Sequence, residues 1–287
     1  MHRDHERDLR LTAVGRRYGV RGPWVLRGVG LAVAPGTLTR IDGANGSGKS
    51  TLLRLLARLD TPSEGRITGR PRTAYVPERF PSALPFTAAG YLTHLGTVHG
   101  LGRNAAARAA HAWLERFGAQ EHAGTPMARL SKGGSQKVAV AQALVGAPEL
   151  LVLDEAWTGL DAAARAELDR VVAERTAAGG AVVFVDHDPR RLAGAEDATY
   201  TVAGGGLSRR TERALVADGP LTVVVAQGSP GGRLPADALQ AAVRAEETAP
   251  GSHRLTVPAS HSDLLLRALL TARPPWHVVR VEPGSRP

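Results

Sequence analysis

The apolar positions of this 287-residue chain follow two periods that alternate along its first two thirds. Leu9–Val14 and Val25–Val33 are short apolar-rich runs separated by Gly22-Pro23, and they read as antiparallel strands. Thr37–Asp42 reads as another strand, ending at Gly43. Behind a glycine-rich loop, Leu52, Leu53, Leu55, Leu56 and Leu59 recur at helical spacing. Pro62–Pro85 is rich in turn residues, with one short strand near Thr73–Val76. The pattern predicts helix from Thr87 to Phe117, interrupted near Gly100–Arg103, and a second helix from about Ser135 to Val145. Leu150–Leu153 and Ala181–Val185 are compact apolar runs of the kind that buried parallel strands carry. Between them Asp161–Ala178 is alanine-rich and helical, and Gly179-Gly180 stops it. Alternating strands and helices imply an α/β core on a mainly parallel sheet.

After about Arg210 the pattern changes. Leu221–Gln227, His253–Val257 and Trp276–Val281 read as strands, and Pro235–Ala245 and Ser262–Ala272 as helices. The expected organisation is one large domain over 1–210 and a small α+β appendage over 211–287.

Composition changes the picture in few places. The formal charge is +9, which attracts nucleotides, nucleic acid or acidic headgroups. The basic residues are almost all Arg, with no run of five or more like charges, so the charge reads as compositional bias and no direct nucleic-acid contact is expected. Lys occurs only at Lys49, Lys132 and Lys137, where a compact ammonium replaces the planar fork used elsewhere. There is no Cys, which excludes thiolate and disulfide chemistry. The charged start Met1–Asp8 is no signal peptide, and no apolar stretch is long enough to cross a bilayer. Contact with a membrane is therefore expected only through a partner.

The strongest chemical signal is Gly43-Ala44-Asn45-Gly46-Ser47-Gly48-Lys49-Ser50, which satisfies G-x-x-x-x-G-K-[ST] between a strand and a helix. Its glycines let backbone N–H groups wrap phosphate oxygens, and the helix behind it, with Thr51 in its first turn, adds a positive end. Lys49 reaches the β- and γ-phosphates and the Ser50 hydroxyl is a Mg²⁺ ligand. Leu150–Leu153 delivers two carboxylates, Asp154 and Glu155, to the C-terminal end of a buried strand, where open α/β sheets bind ligands. Asp154 is expected to hold Mg²⁺ through a water, and Glu155 to polarise the water that attacks the γ-phosphate.

Between these motifs, Leu130-Ser131-Lys132-Gly133-Gly134-Ser135-Gln136-Lys137 resembles the signature sequence of the ATP-binding cassette (ABC) ATPases, usually L-S-G-G-Q. Thr158-Gly159-Leu160-Asp161 resembles that family's D-loop, and His187 in Asp186-His187-Asp188 its switch histidine. Tyr18, 25 residues before the phosphate loop, stands where the family places an aromatic on adenine. The resemblance covers about Leu9–Leu207 in the family's own order. It implies a P-loop NTPase of the ABC ATPase type, with an antiparallel β subdomain and a helical signature subdomain over about 81–145.

The same resemblance implies the roles of the remaining residues. Ser131 and Gly133, with Gly134 beside them, contact the γ-phosphate of a nucleotide held by a second ATPase subunit. Asp161 couples the two sites, and His187 senses the γ-phosphate. The implied protein is a Mg²⁺-dependent ATPase working as a dimer under a separate transmembrane permease at the inner, cytoplasmic face of the cell membrane. The arrangement of the C-terminal appendage resembles exporter-type subunits, so export is expected over import. The alternatives are a soluble ABC ATPase acting on ribosomes or DNA and a small-molecule kinase; the signature and D-loop argue against the kinase.

Two positions depart from the family pattern. In Tyr75-Val76-Pro77-Glu78, Glu78 stands where the family has a Gln that touches Mg²⁺ and the water. Glu78 keeps a metal-ligating oxygen but adds negative charge near the phosphates. Lys132 replaces the first signature Gly, and Gly134 displaces the usual Gln.

Overall fold

The computed structural model describes residues 8–19, 21–80, 84–210, 221–229, 234–242, 244–272 and 274–284. The charged start over 1–7, the expected opening of the helical subdomain at Pro81 and position 243 of the expected 235–245 helix lie outside the described residues. The chain divides into two compact units, Met1–Arg209 and Arg210–Pro287.

The first unit carries two sheets. In the smaller, β1 (Leu9–Arg17) lies between β2 (Trp24–Val33) and β4 (Glu64–Thr68), antiparallel to both. The larger has the order β5-β6-β7-β3-β8-β9, built from β3 (Leu38–Asp42), β5 (Thr73–Val76), β6 (Leu150–Asp154), β7 (Ala181–Val185), β8 (Ala198–Ala203) and β9 (Gly206–Arg210). Its first five strands run parallel. Every residue of β6 and β7 is buried, as strands covered on both faces require.

Helix α1 (Lys49–Leu56) buries Leu52, Leu53, Leu55 and Leu56 in one core with Leu9, Leu11 and Val14 of β1 and Leu26 and Val29 of β2. The opposite face of the large sheet packs on α5 (Ala162–Ala177) through Leu168, Val171 and Val172, and on α4 (Lys132–Val145) through Val140 and Leu144. Helices α2 (Ala88–Val98) and α3 (Arg103–Arg116) close a third core with α4 around Leu92, Leu114 and Val138. Phe117 is buried, Phe80, Tyr91 and Trp113 are half-buried, and Phe86 remains 37% exposed.

Helix α4 begins three residues before the expected start. Ser131 caps it, its Oγ accepting from Gly134 N at 3.0 Å, so Gly133 and Gly134 lie inside the first turn instead of breaking it. Strand β4, with Ile67 alone apolar over Glu64–Thr68, was hidden in a turn-rich stretch and forms because β1 offers it a paired edge.

The second unit runs β10 (Leu221–Gln227), α6 (Ala236–Ala241), β11 (Arg244–Ala249), β12 (Ser252–Pro258), α7 (Ser262–Thr271), β13 (His277–Gly284). The sheet order β11-β12-β10-β13 with all pairs antiparallel is the ferredoxin-like arrangement. Val224, Ala226, Leu255, Val257, Leu265, Leu269 and Trp276 form its core. The helix expected over Pro235–Ala245 is shorter: α6 ends at Ala241, and the chain becomes β11, whose Ala245 and Glu246 pair with Leu255 and Arg254.

Candidate functional site

Strand β3 ends at Asp42 and α1 starts at Lys49, so the intervening loop lies at the C-terminal edge of the parallel sheet. Close backbone approach dictates glycine at its first position. A Cβ on Gly43 would meet Val202 O at 2.6 Å and Ser47 Oγ at 2.7 Å, and its φ is +147°. Gly48, at φ +108°, caps α1 and turns the loop into the helix. Lys49 is buried and donates from Nζ to Gly43 O (2.8 Å) and Ala44 O (3.0 Å), so its ammonium spans the loop's own carbonyls. Ser47 Oγ is buried with no hydrogen-bond partner. A phosphate oxygen is the acceptor that such a cradle of N–H groups, ammonium and unsatisfied hydroxyl fits.

The two carboxylates at the end of β6 meet this loop in different ways. Asp154 is buried; Ser50 Oγ donates to its Oδ1 at 3.3 Å and the Tyr75 hydroxyl to its Oδ2 at 2.9 Å. Burial pushes the Asp154 carboxyl up, against the Tyr75 and Ser50 hydrogen bonds that favour its charged form. Glu155 has φ +52°, left-handed backbone that a non-glycine residue rarely adopts, and its carboxylate lies 2.7 Å from His187 Nε2. Burial raises the Glu155 carboxyl; His187 and Lys49 lower it, while Glu78 and Asp154 raise it. A cleft of about 380 Å³ brings Asn45, Lys49, Ser50, Glu78, Glu155 and His187 together. Glu78 is exposed beside it, 3.9 Å from Arg79 Nε.

Ser50 and Asp154 offer hard oxygen donors side by side, which fit Mg²⁺. Among the described residues no cluster of three His, Cys, Asp or Glu could hold a metal by itself. Two protein oxygens, with phosphate oxygens and water completing the shell, match the way Mg²⁺ is bound together with a nucleotide.

Tyr18 stands outside the cleft lining. Its ring is 51% exposed, its hydroxyl lies 3.4 Å from Thr51 Oγ1 and 3.3 Å from Asp60 Oδ2, and the Arg16 guanidinium sits 4.7 Å from the ring centroid. Thr51, at the start of α1, does line the cleft. Ser131, Gly133 and Gly134 do not. Gly133 instead packs against the D-loop, where a Cβ would meet Gly159 O at 3.0 Å. Asp161 caps α5 by accepting from Ala164 N at 2.8 Å and pairs with Lys137 Nζ at 2.7 Å, which holds its carboxyl below the usual range. The signature and D-loop are thus fastened to each other.

Three supporting residues escaped the sequence reading. Val25, half-buried on β2, lines the cleft. Gln136 donates to Ala156 O at 3.2 Å, tying α4 to the segment after Glu155. Arg40, buried in β3, donates to the carbonyls of Asp186 (3.2 Å), Asp188 (3.1 Å) and Arg191 (3.0 Å), and so shapes the loop carrying His187. A charged residue between the apolar Leu38 and Ile41 of a short strand was the available signal for Arg40.

A family model described as ABC transporter matches residues 26–158. The chain is 42% identical over 178 residues to the zinc import ATP-binding protein ZnuC of Cereibacter sphaeroides, covering 60% of this chain and 70% of the relative. It is 36% identical over 194 residues to the protein of the same name from Pseudomonas entomophila, covering 66% and 72%. Among solved structures, an ATP-binding subunit of an ABC transporter aligns with TM-score 0.66 at 25% identity over 71% of this chain and 90% of that one. A dimeric post-hydrolysis ATP-binding cassette bound to ADP and Pi aligns with TM-score 0.62 at 23% identity over 71% and 98%, a likeness of fold.

Proposed function

This chain belongs to the ABC transporter family of ATP-binding proteins, and from that premise we propose that it powers uptake of a substrate through a separate membrane permease. It has the ABC ATPase fold, binds ATP and is an ATPase. The single observation that carries the site reading is the convergence of Lys49, Ser50, Glu155 and His187 on one cleft, with Asp154 hydrogen-bonded to Ser50 and an unsatisfied Ser47 hydroxyl in the same loop.

In this reading the 43–50 loop and Lys49 grip the phosphates, and Thr51 and Tyr18 flank the nucleotide. Ser50 and Asp154 hold Mg²⁺, with Glu78 as a further oxygen at the cleft's edge. The metal, when bound, neutralises phosphate charge. Glu155 takes a proton from the attacking water, and His187 orients Glu155 and meets the γ-phosphate. Ser131, Gly133 and Gly134, which do not line this chain's cleft, serve the nucleotide of a second copy or a paired subunit, as the signature resemblance implies. Among the described residues no helix is long and apolar enough to cross a membrane. Translocation then falls to a permease, with this subunit at its inner, cytoplasmic face. The second unit, 210–287, serves contacts with a partner, since the site residues lie before it.

Import replaces the export expected from the arrangement of the C-terminal unit. The relatives at 42% and 36% identity are named zinc import ATP-binding proteins, which makes zinc the first cargo to test. Disrupting the gene for this chain should lower zinc accumulation under zinc limitation. The wild-type chain should restore it and Lys49→Ala should not. Unchanged zinc accumulation would remove zinc as the cargo, and restoration by Lys49→Ala would remove ATP use from the transport step.

A further inference from the structure

A chain of hydrogen bonds runs from the helical part by way of β5 to Asp154, the partner of the cleft residue Ser50. Tyr91 on α2 donates its hydroxyl to Gln142 Oε1 at 3.4 Å. Gln142 on α4 donates Nε2 to the Tyr75 carbonyl at 3.1 Å. The Tyr75 hydroxyl donates to Asp154 Oδ2 at 2.9 Å. The outer end reaches the surface: Tyr91 meets Phe80 edge-on at 5.8 Å and Phe86 at 6.2 Å, and the partly exposed Phe86 stacks on His94 at 5.5 Å.

We propose that Tyr75 and Gln142 are positioning residues for Asp154, with Tyr75 fixing one carboxylate oxygen so that the other faces Ser50, and Gln142 fixing Tyr75. The proposal rests on the nucleotide-site reading above. Asp154 is the last residue of a buried strand, and its two oxygens have one side-chain donor each, Ser50 on Oδ1 and Tyr75 on Oδ2. Without the Tyr75 hydroxyl, only the 3.3 Å bond from Ser50 holds the carboxylate plane, and rotation about the terminal bond of Asp154 can turn that plane away from Ser50. The backbone of Tyr75 pairs with Val152 on β6, and only the length of the ring brings its hydroxyl to Asp154. A shift of α4 against β5 therefore reaches the carboxylate through two side chains.

The test uses the full chain as wild type, Tyr75→Phe, Gln142→Leu and the double variant. Affinity for trinitrophenyl-ATP is measured by fluorescence in EDTA and again across a Mg²⁺ titration. Affinity in EDTA should stay within about twofold in every variant, because Asp154 acts on the nucleotide only through the metal. The half-saturating Mg²⁺ concentration should rise about tenfold in Tyr75→Phe, the effect of losing a hydrogen bond to a charged group. Gln142→Leu should give a smaller rise, and the double variant should match Tyr75→Phe alone, since Gln142 acts through Tyr75. An unchanged Mg²⁺ requirement in Tyr75→Phe overturns the proposal, as does a double-variant shift equal to the product of the two single shifts. A wild type whose nucleotide affinity ignores Mg²⁺ overturns the metal-site reading itself, and the proposal with it. Thermal melting of each variant separates these outcomes from loss of fold.

Discussion

His187 Nε2 lies 2.7 Å from Glu155 Oε1, so the switch-position histidine and the carboxylate next to the phosphate loop form one unit, ion-paired when the imidazole is protonated. Burial raises the proton affinity of Glu155, the His187 charge opposes that rise, and Glu78 adds to it. In its proposed role as base Glu155 must be unprotonated, so activity should be lost as pH falls through a Glu155 pKa that burial holds above the ordinary carboxylate value. His187→Ala should move the acid limb of kcat/KM to higher pH, and Glu78→Gln should move it to lower pH. Profiles of the two variants that shift in the same direction, or not at all, would separate the acid limb from this carboxylate.

Lys49 fills the loop with an ammonium held by two carbonyls, 2.8 and 3.0 Å away. Lys49→Ala should weaken ATP binding on the order of 100-fold, the scale of a lost charge-assisted contact. Lys49→Arg should not rescue it, because a planar fork does not fit a space shaped around a point charge. Equilibrium dialysis with labelled ATP checks both; wild-type affinity in the Arg variant would show that the compact ammonium is not required.

The site residues all lie in the unit that ends at Arg209. A chain ending at Arg210 should keep soluble ATPase activity within about twofold, as separate cores allow. A folded, soluble truncation that fails to bind ATP would place part of the nucleotide site in the second unit.

Within that second unit Leu255, paired with Val224 across β10 and β12, is fully buried in the core with Leu265 and Leu269. Leu255→Ala should cost about 2–5 kcal/mol of its stability through lost burial and the cavity left behind. Chemical denaturation should show one earlier transition, with ATP affinity of the remaining folded unit unchanged; a coincident loss of ATP binding would show that the two units unfold together.

How much of this the sequence discloses depends on whether chemistry or pairing dictates the residues. The 43–50 loop is legible because phosphate approach demands glycine where Val202 O and Ser47 Oγ leave no room for a Cβ. Asp154 and Glu155 are legible because four apolar residues of a covered strand precede them. Strand β11 is not, since all six residues from Arg244 to Ala249 are exposed and include helix formers; its extended form comes from pairing with β12. Strand β4 hides for a related reason, a glycine and one apolar residue on an edge. The Tyr75–Asp154 bond spans 79 residues of chain, and no local pattern encodes it. The direction of transport is equally silent, because the expectation of export rested on the arrangement of the C-terminal unit and on no residue of the site.

In the proposed mechanism hydrolysis depends on proton transfer to Glu155, and single-turnover cleavage of ATP by Glu155→Gln tests it most directly. The substitution keeps the size of the side chain and leaves an amide that cannot take the proton. ATP should bind as in the wild type, cleavage should fall on the order of 10²–10⁴-fold, and an ATP-bound dimer should accumulate on size exclusion. Cleavage within about twofold of wild type would contradict the assignment of Glu155 as the base.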